Sequence, residues 1–279
     1  MDLSEAVRKD VKAALEEDVG GGDVTANLIP EDAVAHAAVI SRESAVLCGT
    51  PWFESCFRML DPGIEIVWHY PEGSQIAPND TLCNLKGNAR AMLTAERSAL
   101  NFLQLLSGVA SKTRKFVEAV AGTHALVMDT RKTLPGLRLA QKHAVRVGGG
   151  SNQRMGLHDA ILIKENHIAA CGGVKAVLAA AAKVPDVPAQ IEVESMSELE
   201  EALEAGAKLI LLDNFDLDGL KRAVQFVAGR AVLEASGGVS LDTVRSIALT
   251  GVDRISVGEL TKDVKAIDLS MRLKVSQIG

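Results

Sequence analysis

QIEVESMSELEEALEAGAKLILLDNF, residues 190–215, contains one full period of the pattern that decides the fold. An apolar run at 190–193 leads into MSELEEALEAG, which has helical spacing and closes at Gly206, and a second apolar run follows at 208–212. The same rhythm begins at residue 125. Strands are expected at 125–128, 160–163, 190–193, 208–212, 231–234 and 254–257, with VKAVLAAAAKV, MSELEEALEAG and LDTVRSIALTG as helices between several of them. Strands that alternate with helices build a parallel sheet, either doubly wound or closed into a barrel. Polar residues favour the barrel, because nearly every strand ends in a group capable of chemistry: Asp129, Lys164, Glu192 with Glu194, Asp213, Glu234 and then Gly258. A barrel gathers those ends at one mouth.

Taken singly, each carboxylate is open to a plainer reading as a helix N-cap or salt-bridge partner, and for Asp129 and Glu234 that reading is as good as a functional one. Glu192 and Asp213 are stronger candidates. IEVE and LLDNF set them in apolar runs, where an unpaired charge is costly.

Upstream, the chain changes character near residue 110. An opening helix is followed by the strand-like runs AHAAVISR, EIVWHY and TLCNLKG, punctuated by DPG, PEG and APND turns, which suggests an antiparallel sheet carrying helices. Residues 91–120 then have apolar positions near a helical period.

Composition narrows the function. With 279 residues and 47% hydrophobic content, the chain can bury one large core and a smaller one. Four cysteines without a CxxC pair or a regular framework read as small apolar residues in a reducing cytoplasm. No window has the ~18 uninterrupted apolar residues of a membrane span, and the first residues are acidic and amphipathic, unlike a signal peptide. A net charge of -6 and an aromatic content of 3% argue against nonspecific nucleic-acid binding.

Against that acidic background, residues 129–164 hold seven cations (Arg131, Lys132, Arg138, Lys142, Arg146, Arg154, Lys164) and two carboxylates, Asp129 and Asp159. Seven cations that converge repel one another and lose hydration, so the segment suits a strongly anionic ligand. For Arg138, Lys142 and Arg146 the four-residue spacing favours a solvated helix face instead. Arg131, Lys132, Arg154 and Lys164 lie at strand ends and loops, where binding groups are commonly carried. Two glycine segments, SGGV at 236–239 and SVGEL at 256–260, follow the last two strands, the usual phosphate position of a barrel. His158 and His167 flank Asp159 and Glu165 at a spacing that fits no compact metal site, so they read as structural or surface residues, and His143 reads as peripheral.

DTRKTLPGLR, GGGSNQRMGL, AILIKENH, IEVES, LLDNF, EASGGV and SVGELT, together with EDVGGGDVT and ERSALNFLQLLSG, resemble nicotinate-nucleotide pyrophosphorylase, the quinolinate phosphoribosyltransferase family of NAD biosynthesis. The likeness covers essentially the whole chain. It implies an N-terminal α/β sandwich domain over 1–110, an incomplete α/β barrel over 111–268, and a tail, 269–279, packed onto the former. The implied reaction couples quinolinate to 5-phosphoribosyl 1-diphosphate with Mg²⁺, giving nicotinate mononucleotide, CO2 and diphosphate. The implied assembly is a homodimer, or an assembly of dimers, in which Arg97 crosses to the neighbouring site.

By the same resemblance Arg131, Arg154 and Lys164 meet the quinolinate carboxylates and Lys132 the diphosphate. Ser236, Gly237, Gly238 and Gly258 hold the 5-phosphate, and Glu192 and Asp213 lie near the ribose hydroxyls and metal. Thr130, Gln153, Val257 and Glu259 complete the substrate-binding set, and Lys132, Lys164, Glu192 and Asp213 are the catalytic candidates. Two rivals stand beside this reading: a Schiff-base enzyme using Lys164 or Lys132, and a noncatalytic phosphate or nucleotide binder. The chain departs from the family at Gln153, where the pattern has histidine after the asparagine. An amide donates hydrogen bonds but carries neither a proton nor a charge near neutral pH. Gln153→His is therefore expected to raise turnover, and an unchanged or lower rate would refute that expectation.

Overall fold

The structure, a computed structural model, describes residues 3–275; the first two residues of the expected opening helix and residues 276–279 of the expected tail lie outside the described residues. In chain order the elements are α1 (Leu3–Val19), β1 (Val34–Ser41), β2 (Ala45–Val46), α2 (Thr50–Leu60), β3 (Glu65–Trp68), β4 (Gln75–Ile76), β5 (Thr81–Asn88) and α3 (Ala89–Ala119). There follow β6 (Leu126–Met128), α4 (Arg138–Val147), β7 (Ile161–Ile163), α5 (Glu165–Cys171), α6 (Val174–Ala181), β8 (Ala189–Val193), α7 (Met196–Glu204) and β9 (Leu209–Asp213). The last are α8 (Leu217–Val227), β10 (Val232–Ser236), α9 (Leu241–Ala248), β11 (Arg254–Ser256), α10 (Glu259–Lys262) and β12 (Leu269–Val275). Among the described residues no helix is long and apolar enough to cross a membrane.

Two compact units emerge, and their boundaries interleave along the chain. The first takes the chain up to Lys112, Leu134–Gly149 and the residues from Asp263 onward; the second takes Thr113–Thr133 and Gly150–Lys262. Within the first unit β12, β1, β5 and β3 form an antiparallel sheet in that order, and β2 pairs with β4. Alternation in AHAAVIS does what a two-residue period requires: Ala35, Ala37 and Val39 point inward and are buried. Trp52, Phe53, Cys56 and Phe57 of α2 are fully buried, with Phe53 edge-on to Trp68 of β3 at 5.3 Å. Gly108 of α3 lets the backbone at Lys265 pass so close that a Cβ would lie 2.2 Å from its carbonyl oxygen.

Helix α4 corrects two expectations. It is not a solvated cationic face, because Lys142 is fully buried with Ala140, Gln141, Ala144 and Val145, while Arg146 is exposed. The helix is covered on more than one side, so residues four apart do not share one environment. Nor is His143 peripheral. Its Nε2 lies 2.6 Å from Glu72 Oε1, and its ring packs 5.4 Å from Trp52.

Glu72 also accepts from the Thr50 amide at 2.9 Å and from the Thr50 hydroxyl, and the Cys48 thiol donates to it at 3.6 Å. Burial pushes the Cys48 and Cys56 thiols up, the latter to about 12, and the charge of Glu72 pushes Cys48 further. All four cysteines are free, and Cys171 is exposed.

In the second unit the six strands are parallel in the order β6, β11, β10, β9, β8, β7. From β7 to β11 each helical crossover returns the chain to the neighbouring strand, as a barrel demands. β6 and β7 stand at the two ends of the sheet, so the barrel is incomplete, and a bridge from Met128 to Ser151 extends the β6 edge. Ser195 and Asp216 cap the helices after β8 and β9 by accepting from the amides of Glu198 and Gly219.

Burial raises the Glu72 carboxyl pKa, but the hydrogen bonds from His143 and Thr50 outweigh it and hold the group below the usual carboxylate range. A depressed folded-state pKa contributes stability that is present above the unfolded value and lost as pH falls through the folded one. Glu72→Gln is expected to cost about 1–3 kcal/mol at pH 7. The difference from the parent chain in urea denaturation should shrink as pH falls below about 4.3.

Candidate active site

Residues named from the sequence come together at the C-terminal ends of the parallel strands. Thr130 and Lys132 follow β6. The Lys132 amide donates to Thr130 Oγ1 at 3.0 Å, and Thr261 Oγ1 donates to the Lys132 carbonyl at 2.9 Å. The side chain of Lys132 crosses Gly258 after β11, where a Cβ would meet Lys132 Cδ at 3.3 Å. The Val257 amide donates to the Met128 carbonyl at 2.9 Å, so the ends of β6 and β11 form one wall. Val257 is buried and Glu259 opens α10.

Next along the sheet, Asp213 ends β9 opposite Ser236 of β10. The Asn214 amide donates to the Ser236 carbonyl at 2.9 Å, and Gly237 and Gly238 follow with φ of +100° and +57°. Side chains rarely adopt such φ values, and Gly237 has a second constraint: a Cβ there would lie 2.1 Å from Asn214 Oδ1. Both glycines are exposed, so the loop presents backbone to solvent, the form a phosphate site needs.

Beyond β9, the carboxylate of Glu192 in β8 takes both bonds of a forked contact from Lys164 Nζ, at 3.0 and 2.9 Å. The Glu192 side chain is 9% exposed and that of Lys164 45%, so a buried anion is matched by a cation that still faces water. Glu165, Glu192 and Glu194 bring one carboxylate oxygen each within 4.8 Å of one another. That is a hard-oxygen donor set of the kind Mg²⁺ takes. The sequence paired Glu192 with Asp213 at the metal; Asp213 Oδ2 accepts from the Asn214 side chain at 2.8 Å.

The remaining cations flank the open edge of the barrel. Arg154 Nη1 donates to the Ala160 carbonyl at 3.2 Å, while its buried Nε has no hydrogen-bond partner among the described residues. Burial, and then the charge of Arg131, push the Arg154 guanidinium below its ordinary pKa. Neighbouring guanidiniums are chemically suited to anionic oxygens. With Gln153, Asp159, Gln190 and Arg254, Arg154 lines a cavity of about 410 Å³. Arg97 is exposed on α3 and belongs to the first unit.

Two residues that the sequence did not single out, Gln190 and Ser256, meet at Glu234. That carboxylate is fully buried midway along β10, not at its end; it accepts from Gln153 Nε2 at 2.7 Å, from Gln190 Nε2 at 2.9 Å and from the Ser256 hydroxyl. Only the odd polar letters in QIEVE and RISV hinted at its two partners. Asp129, also fully buried, accepts from the Asn152 side chain at 2.6 Å and from the Gln153 amide at 2.8 Å. His167 Nδ1 accepts from the Lys164 amide at 3.0 Å, a structural role at the start of α5.

Family models for the quinolinate phosphoribosyl transferase N-terminal and C-terminal domains match residues 23–107 and 109–272. The chain is 40% identical over 280 residues to nicotinate-nucleotide pyrophosphorylase [carboxylating] of Mycobacterium leprae, covering 96% of this chain and 98% of that one. It is 37% identical over 264 residues to a probable enzyme of the same name from Bacillus subtilis, covering 93% and 91%. The structure of the nicotinate-nucleotide pyrophosphorylase from Francisella tularensis superposes with a TM-score of 0.95 at 42% identity, covering 98% of each chain. Matched in both domains and over nearly its whole length, the chain belongs to the quinolinate phosphoribosyltransferase family.

Proposed function

We propose that the protein is a decarboxylating phosphoribosyltransferase that joins quinolinate to 5-phosphoribosyl 1-diphosphate, releasing diphosphate and CO2 and leaving nicotinate mononucleotide for NAD biosynthesis. What supports this reading is an ion-paired lysine and a positive-φ glycine loop at the C-terminal ends of the parallel strands, together with the Arg154 guanidinium, whose charge the neighbouring Arg131 opposes. Both reactants are polyanions. Arg131, Arg154 and Lys164 take the two quinolinate carboxylates, Lys132 takes the diphosphate, and Ser236, Gly237, Gly238 and Gly258 take the 5-phosphate, with Thr130, Val257 and Glu259 completing the cradle.

The bond from the anomeric carbon to the diphosphate oxygen breaks as the ring nitrogen bonds to that carbon. Positive charge develops on the sugar, and Glu192 and Asp213 supply fixed negative potential beside it. The cationic ring then accepts the electron pair left when the adjacent carboxylate departs as CO2, and a proton replaces it at that carbon. A Schiff-base role for Lys164 fits poorly, since its amine is engaged with Glu192.

The converging oxygens of Glu165, Glu192 and Glu194 suit Mg²⁺, which when bound would neutralise charge on the diphosphate. Exposed Arg97 on α3 is the group that a second copy of the chain would lend to the neighbouring site in a homodimer. Unpaired cysteines suit a reducing cytoplasm.

Incubation with quinolinate, the phosphoribosyl donor and Mg²⁺ is expected to yield nicotinate mononucleotide and CO2 in equal amounts, with chelation by EDTA abolishing both; donor consumption without decarboxylation would overturn the assignment. Gly237→Ala is expected to weaken donor binding far more than Gly238→Ala. Both introduce strain at a positive φ, but only the first collides with Asn214; a Cβ at Gly238 meets nothing within 4 Å.

A further inference from the structure

Glu234 is an ionisable group without an obvious reason to be buried. It sits fully buried in β10, and among the described residues it has no basic side chain within salt-bridge distance. Its three partners are neutral and come from three places: Gln153 from the segment after α4, Gln190 from β8 and Ser256 from β11. Burying a carboxylate against neutral donors is an expensive way to gain stability, and a packed apolar side chain would serve as well. What the carboxylate alone provides is two oxygens that only accept, so each donor around it has a single permitted orientation.

Gln153 is the partner with a consequence. Its side-chain nitrogen donates to Glu234 Oε1 at 2.7 Å and lies 3.3 Å from Gln190 Oε1, while its backbone amide is held by Asp129 at 2.8 Å. Both ends of residue 153 are thereby pinned, one by Asp129 at the end of β6 and the other by Glu234 inside the barrel. Arg154 is the next residue.

We propose that Glu234, through Gln153 and with Gln190 as its second clamp, is a positioning residue that aims the Arg154 guanidinium at the quinolinate carboxylates. Glu234 acts through Gln153 and Gln190 from its buried place in β10. Gln153 accordingly faces inward, with its amide engaged by Glu234 and Gln190, and a histidine at the same position would be held by the same carboxylate. This inference rests on the proposed role of Arg154 and deepens it.

Glu234→Gln keeps shape and volume while replacing one acceptor by an NH2 group. The new amide either presents that NH2 to Gln153 or forces the Gln190 amide to turn, so the Gln153 side chain loses a contact to Glu234 or to Gln190 whichever way the amide settles. Calorimetric titration with quinolinate, and separately with 5-phosphoribosyl 1-diphosphate and Mg²⁺, reads the effect without requiring turnover. Quinolinate affinity is expected to fall by roughly tenfold, while donor affinity stays within about twofold. Gln190→Met, which removes the other clamp, should give a smaller loss of the same selectivity if the first variant does not fold. Moving the charge across the same hydrogen bond, in Glu234→Gln with Gln190→Glu, should recover quinolinate affinity, since an acceptor-only group again faces Gln153.

Unchanged quinolinate affinity, or equal losses for both substrates without rescue by the exchange, would overturn the proposal. A parent chain that binds quinolinate but forms no nicotinate mononucleotide would instead overturn the assigned reaction and leave the affinity comparison standing. A parent chain with no affinity for quinolinate would overturn both.

Discussion

Two guanidiniums, those of Arg131 and Arg154, have to be kept close together in a partly desolvated place, and the local structure is arranged around that difficulty. Burial and mutual repulsion both act against the charge on Arg154. Left to itself, a segment with such charges would swing outward into water. It is prevented from doing so by backbone bonds: Ser151 donates to the Val127 carbonyl at 2.8 Å, and Asp129 donates to the Ser151 carbonyl at 3.1 Å. These make the segment after α4 a partial strand on the β6 edge. The buried Asp129 carboxylate then fixes Asn152 and Gln153. The backbone beside both cations is thus fixed by hydrogen bonds of Val127, Asp129 and Ser151, and a bound anion would offset the repulsion between them.

The mouth divides its work between side chains and backbone. In the proposed reaction guanidinium forks on the side of β6 and β7 would match planar carboxylates, and the glycine turns after β10 and β11 would offer backbone to a phosphate. The two regions are joined by Lys132, whose side chain crosses Gly258. A Cβ at Gly258 would press on that lysine at 3.3 Å, so one glycine both opens the backbone and makes room for a cation. Gly237 does the equivalent beside Asn214.

Much of the barrel was legible because burial on both faces leaves short apolar runs bounded by helices with clear caps. The six expected strands, 125–128 through 254–257, all appear within two residues of their observed limits. Groups at strand ends were legible for the same reason: their position follows from where an apolar run stops. What could not be read was the direction in which a polar side chain turns within a strand. Glu234 looked like a strand-end group, yet it lies one pleat below the mouth and faces Gln190 and Ser256, residues far away in the chain. Lys142 failed for a related reason. Four-residue spacing reports a shared helix face, but whether that face meets water depends on what covers it, and here Lys142 is fully buried.

Glu192 and Glu234 lie in one register row, each paired across from Leu211, and they show how the same residue type is given opposite duties. Glu192 is buried but balanced by Lys164, a cation 45% exposed that a substrate carboxylate can approach and share. An anion that approached this lysine would compete with Glu192 for it. Glu234 has no such partner to lose. Its partners are neutral donors, which an incoming anion does not draw away as it would a lysine. A responsive carboxylate suits the reacting centre, and an unresponsive one suits the scaffold behind Arg154; the difference lies wholly in whether the partner is a cation facing solvent or an amide facing the core.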